Sequence, residues 1–101
     1  MKKKIYIAGK VTGEPTESCR AKFAATQQHL EAFPYDFKVV NPMVLITDVT
    51  TPWHEAMDIC LTELKKCDAI YIMPCSIDSP GAQLELQYAI DYKLDIYYEL
   101  E

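Results

Sequence analysis

The stretch Ser79-Pro80-Gly81-Ala82-Gln83-Leu84-Glu85 sets a hydroxyl, a proline and two small residues ahead of an acid. Serine is a favoured helix N-cap, and proline suits the first helical position because its missing N–H needs no partner there. Gly81 and Ala82 keep the first turn free of bulk, so a phosphate or a hydroxyl can approach the free backbone N–H groups. On a helical wheel Tyr88, Tyr92, Ala89, Ala82, Leu86 and Ile90 form one broad arc, and Glu85 falls inside it. Two readings of Glu85 stand on spacing alone. It is either a surface acid tilted toward water past Tyr88 and Tyr92, or a buried carboxylate, which is costly unless something pairs with it or uses it. The second reading points to chemistry on a polar small molecule. Ser79 divides in the same way, into a plain cap or one wall of a ligand cradle.

Other chemistry is poorly represented. Cys19, Cys60, Cys67 and Cys75 form no CxxC pair and read as reduced, mostly buried thiols. His54-Glu55 opens like a zinc-protease motif, but Asp58 stands where the second histidine is needed. Gly9 and Gly13 are too few for a dinucleotide fingerprint. No acidic cluster follows the first expected strand, which speaks against a phosphoacceptor receiver. No metal and no organic cofactor is expected.

The elements that must position these residues follow from apolar patterning. Lys4 to Gly9 reads as a short strand buried on both faces, followed by a loop from Lys10 to Pro15. A helix is predicted from about Thr16 to Ala32, with Phe23, Thr26 and Leu30 inward, and Pro34 closes it. Phe37 to Asn41 is a second strand ended by Pro42. Residues 43 to 51 are predicted to be irregular, with room for one helical turn, and are placed to cover a site. Pro52 can start a helix to about Lys66, with Ala56, Met57, Cys60, Leu61 and Leu64 as core candidates. Cys67 to Pro74 is a third strand, the Ser79 motif opens a helix to about Lys93, and Leu94 to Tyr98 is a fourth strand.

Strands alternating with helices predict an α/β fold: a three-layer, doubly wound, flavodoxin- or Rossmann-like sheet of four parallel strands in the order 2-1-3-4. Ligands of such sheets bind beyond the carboxyl ends of the strands, where the order reverses. That point lies between the first and third strands, and it brings Gly9 and Lys10 toward Ser79, Gly81 and Glu85. Asp68 begins the third strand at its amino end, away from this cleft, and reads as structural.

With 101 residues the chain is expected to form one domain over residues 1–101. A formal charge of −5 argues against long nucleic acid as a partner, because backbone-phosphate binding relies on Lys and Arg. A single nucleotide in a local site is compatible with it. No apolar run approaches the roughly 18 residues of a membrane span. Lys2, Lys3 and Lys4 lead straight into a strand and read as solvated residues, not a signal peptide, so a cytoplasmic location is expected.

Taken together, Ile5-Tyr6-Ile7-Ala8-Gly9, Asn41-Pro42, Trp53, Cys67-Asp68-Ala69-Ile70-Tyr71 and Ser79 to Glu85 resemble the small phage and bacterial proteins of the DUF4406 group. These are related to nucleoside 2-deoxyribosyltransferases and nucleotide N-glycosidases, and the resemblance spans nearly the whole chain. It implies that Glu85 is the nucleophile on an anomeric carbon and that Ser79 contacts the 5′ end of the sugar. Transferases acting on free nucleosides tend to carry Asp at the Ser79 position, whereas nucleotide 5′-monophosphate hydrolases tend to carry Ser. A carboxylate there would repel a phosphate that a hydroxyl and helix N–H groups accept.

With Ser79, Gly81 and Ala82 at the 5′ end and Lys10 as an auxiliary cation, the resemblance implies a 5′-monophosphate. Tyr6 and Gly9 match first-strand positions that border sugar and base. It further implies a homodimer or higher homo-oligomer. Better-characterised relatives carry an Asp eight residues before the Cys-Asp aspartate, near the leaving base, and here that position is Cys60. The expected function is therefore N-glycosidic cleavage or base transfer. A non-catalytic nucleotide-binding module of the same fold is the alternative, and an interaction role using Tyr92, Tyr97 and Tyr98 is a third.

Overall fold

The structure is a computed structural model that describes residues 2–11, 13–48 and 50–98. Thr12 of the first loop and Val49 of the irregular stretch therefore lie outside the described residues. In chain order the elements are β1 (Lys4–Ala8), α1 (Thr16–Glu31), β2 (Lys38–Val40), α2 (Pro42–Leu45), α3 (Trp53–Leu64), β3 (Ala69–Ile72), a 3₁₀ turn (Pro74–Asp78), α4 (Pro80–Asp91) and β4 (Asp95–Tyr97). The sheet is parallel throughout and ordered β2-β1-β3-β4. Fold class and strand order are those predicted from the patterning.

Strand parity assigns each residue of β1 to one face of the sheet, because successive side chains point to opposite sides. Ile5 and Ile7 pack with Phe23 and Leu30 of α1, together with Ala69 and Tyr71 of β3. Tyr6 and Ala8 pack on the other face, with Cys60 and Leu64 of α3 and with Ala82 and Ala89 of α4. One helix thus covers one face and two cover the other. β1 and β3 are the central strands, and apart from Lys4 their residues are buried on both faces, which is why they read as continuous apolar runs. The edge strands carry exposed Lys38 and Asp95 instead.

Several predicted boundaries shorten. The third strand ends at Ile72 because Pro74 enters the 3₁₀ turn, and it begins at Ala69 because Cys67 still bonds back to Leu64 at the end of α3. The irregular stretch does contain one helical turn, α2, whose N-cap Asn41 accepts the Met43 N–H at 2.9 Å. On α4 the broad arc narrows to Ala82, Glu85 and Ala89, with Leu86 and Tyr88 half-buried. Ile90 and Tyr92 are exposed, a departure from the wheel. The helix ends at Asp91, and Tyr92 instead stacks on Tyr88 with ring centroids 4.3 Å apart. Asp68 accepts the backbone N–H of Lys4 at 2.9 Å, at the amino end of the sheet.

Gly9 closes the carboxyl end of β1 where α1 and the residue after β3 come closest. A Cβ there would lie 2.8 Å from Met73 Sδ and 3.0 Å from Phe23 Cζ. Gly9→Ala is expected to cost about 1–3 kcal/mol through overpacking. Urea unfolding monitored by circular dichroism checks this; a midpoint unchanged from wild type would contradict the close approach.

Candidate active site

The turn that presents α4 is anchored from three sides. Ser76 Oγ donates to the Ala8 carbonyl at 3.0 Å, tying the 3₁₀ turn to the end of β1. Gln83 Nε2 donates to the Ser76 carbonyl at 2.9 Å, tying the same turn to α4. Ser79 then caps the helix, its Oγ accepting the Ala82 N–H at 3.2 Å, with Pro80 at the first position. That bond uses a lone pair of Ser79 and leaves its O–H proton available to a ligand. Start the helix one residue later and Glu85 would leave the buried stripe; here it is only 5 % exposed.

Glu85 lies under the cleft, against the sheet. Its Oε2 accepts a hydrogen bond from the Tyr6 hydroxyl, which rises from the centre of β1. Among the described residues no group donates to the other oxygen, and Glu85 borders the cleft. Burial pushes the Glu85 carboxyl up to about 8, and the Tyr6 hydrogen bond acts in the opposite direction. Tyr6 is itself raised well above the usual phenol range, first by burial and then by the neighbouring Glu85 charge. The Cys60 thiol completes the cluster against the Tyr6 hydroxyl, and burial pushes it up to about 11. Cys60 therefore stays a protonated thiol at neutral pH.

The cleft has a volume of about 430 Å³ and opens at the carboxyl ends of the strands. Gly9, Ser79, Gly81, Ala82 and Glu85 all border it, together with Cys60. Tyr6 sits beneath it, fully buried, and reaches it through Glu85. Lys10 is the residue the fold does not bring in. Its ammonium pairs with Asp78 at 3.0 Å, so the cation expected to assist at the 5′ end is held by the acid preceding Ser79.

Other lining residues carried no signal of their own in the sequence. Glu14, Asp48, Thr51 and Met57 reach the cleft from loops and from α3, and only the tertiary arrangement reveals them. The start of α3 leans on the start of α4: a Cβ at Gly81 would lie 3.2 Å from Met57 Sδ and 3.7 Å from Trp53 Nε1. Glycine at 81 thus admits this wall, and the Trp53 indole N–H, a pure donor, lies beside the helix N-terminus. Among the described residues no group of three or more His, Cys, Asp or Glu is placed to hold a metal ion. No helix there is long and apolar enough to cross a membrane.

Fold and cleft together define a doubly wound α/β domain with a buried carboxylate at its topological switch point. The model of the DUF4406 family, a domain of unknown function, matches residues 3–98, and the chain belongs to that family. No curated protein matches the chain.

The raised Glu85 carboxyl makes stability depend on pH. Between its ordinary value near 4.5 and about 8 the folded chain binds this proton more tightly than the unfolded chain. Stability from Glu85 is therefore full below that window and is lost as pH rises through about 8. The slope approaches about 1.4 kcal/mol per pH unit in the middle of the window. Glu85→Gln keeps the shape and a polar group for Tyr6 but removes the titration. The wild-type-minus-variant difference in unfolding free energy, measured by denaturant titration from pH 5 to 9, is expected to fall with pH; a flat difference would refute the assignment.

Proposed function

We propose that the protein is a cytoplasmic N-glycosyl enzyme acting on a nucleoside or nucleotide, preferably a 5′-monophosphate, with Glu85 as the nucleophile. The observation that carries this reading is a buried carboxylate whose one oxygen is held by Tyr6 while the other is left for a reacting carbon. The likeness of Tyr6, Gly9, Ser79, Gly81, Ala82 and Glu85 to the corresponding positions of deoxyribosyltransferases and nucleotide N-glycosidases supports it.

In this reading the free Glu85 oxygen attacks C1′ as the N-glycosidic bond breaks through an oxocarbenium-like transition state, and the base leaves with the bonding pair. A glycosyl ester of Glu85 results. Water then releases the sugar, or an incoming base takes it, and two displacements at C1′ give net retention. The Ser79 hydroxyl and the first-turn N–H of Gly81 hold the 5′ end, with the N-terminus of α4 favouring an anion there. Tyr6 orients the carboxylate and partly offsets its desolvation. The family resemblance also supports a homodimer as the working unit.

Cys60 favours a second reading. A buried thiol that stays protonated is a poor acid toward a departing base, so a binding module that holds nucleotides without turning them over is the alternative.

The two separate in one assay. Incubation with a panel of deoxy- and ribonucleoside monophosphates is expected to release free base, with kcat/KM rising with pH toward a limb near 8 as Glu85 ionises. Glu85→Ala should abolish release. Tyr6→Phe removes the hydrogen bond that favours the ionised carboxylate, so its limb should move to higher pH. Tight binding without base release at high protein concentration would overturn the enzyme reading in favour of the module.

A further inference from the structure

The donors that α4 offers to the 5′ end of a nucleotide can be counted. Pro80 at its first position has no N–H to give. The Ala82 N–H is taken by Ser79 Oγ at 3.2 Å, and the Gln83 N–H by the Ser79 carbonyl at 2.9 Å. Two donors remain for a ligand, the Gly81 N–H and the Ser79 O–H. Those match a 5′-hydroxyl. A phosphate brings three strong acceptor oxygens and a charge, and two neutral donors leave part of it unsatisfied. Among the described residues no Lys or Arg borders the cleft, and Lys10 is held by Asp78 at 3.0 Å.

A third donor stands at the same place. Trp53 opens α3, and its Nε1 lies 3.7 Å from the point that a Cβ at Gly81 would occupy. The indole borders the cleft, and its N–H donates to no group among the described residues. The starts of α3 and α4, each helix 12 residues long, thus bring two positive dipole ends to one wall. Glu55, the acid in the first turn of α3, does not border the cleft. Two buried side chains also keep open positions toward it. Ser79 is 6 % exposed, and its hydroxyl proton has no acceptor among the described residues. Glu85 turns an oxygen without a donor into the same cleft.

We propose that the Trp53 indole N–H is the third donor of a 5′-phosphate subsite, which makes Trp53 a binding residue that selects nucleoside monophosphates over free nucleosides. The inference rests on the N-glycosyl reading above and names the contact that separates its two substrate classes. Three neutral donors at two helix N-termini take the place of a cation. An indole N–H only donates, so it is matched by a phosphate oxygen, whereas a 5′-hydroxyl is already served by Ser79 and Gly81.

The test follows base release from deoxynucleoside 5′-monophosphates and from the matching deoxynucleosides, in wild type and in Trp53→Phe, which keeps an aromatic ring and removes the donor. Trp53→Phe is expected to raise KM for the monophosphates by about tenfold or more, the scale of a hydrogen bond to a charged group. Its kcat and its kinetics on nucleosides should change little. Trp53 is the one tryptophan of the chain, so its fluorescence reports on the subsite directly. Deoxyribose 5-phosphate, which carries the phosphate without a base, should shift that fluorescence in wild type, and deoxyribose should not.

An unmoved KM for monophosphates overturns the inference and leaves the N-glycosyl reading standing. So does a KM that rises equally for nucleosides, the mark of a ring that stacks on the base. No response to deoxyribose 5-phosphate, or an equal one to deoxyribose, overturns it as well. Binding of monophosphates without base release, measured by calorimetry, removes the enzyme reading. The Trp53 assignment then survives only if Trp53→Phe weakens monophosphate binding by about tenfold and leaves nucleoside binding unchanged. If nothing in the panel binds or reacts, both fall.

Discussion

A carboxyl group enclosed between a β-sheet and a helix is the constraint on which this structure turns. Glu85 has one protein hydrogen bond among the described residues, from Tyr6, and that bond offsets only part of the desolvation that pushes its titration upward. The arrangement needs three things at once. Tyr6 must lie on the α4 side of the sheet, which parity grants because Ile5 and Ile7 serve α1. β1 must be a central strand, so that its side chains meet a helix on either face. And α4 must start at Ser79, so that its second turn turns Glu85 inward.

The last condition explains the density of bonds around the 3₁₀ turn. Ser76 fastens it to β1, Gln83 fastens it to α4, and Ser79 caps the helix. None of these groups is large, and each replaces a lost water contact for a buried backbone group. The same residues that fix the helix register leave a hydroxyl proton and a first-turn N–H at the cleft. The serine that caps α4 is thus also one that borders the cleft.

Donors and acceptors both border the cleft. Donors gather where α3 meets the start of α4: the Ser79 hydroxyl, the Gly81 N–H and the Trp53 indole. Glu14 and Asp48, from the loops after β1 and after α2, also border the cleft. The Lys10 ammonium pairs instead with Asp78 at the protein surface.

The amino-acid sequence by itself determined the α/β class, the strand order and the start of α4. Continuous apolar strands, a Ser-Pro helix start and a glycine closing β1 are local signals that depend on near neighbours in the chain. It also marked Ser79, Gly81 and Glu85, because a cap and an oddly placed acid can be recognised within one helix. It left open whether Glu85 is buried, since a wheel does not say how far a helix is covered; the wheel's error over Ile90 and Tyr92 has the same source. That Tyr6 donates to Glu85, that Lys10 turns to Asp78, and that Glu14 and Asp48 face the cleft were decided only by tertiary structure. Each depends on residues far apart in sequence meeting across the sheet or between loops, where side-chain direction follows from packing and charge and not from local pattern.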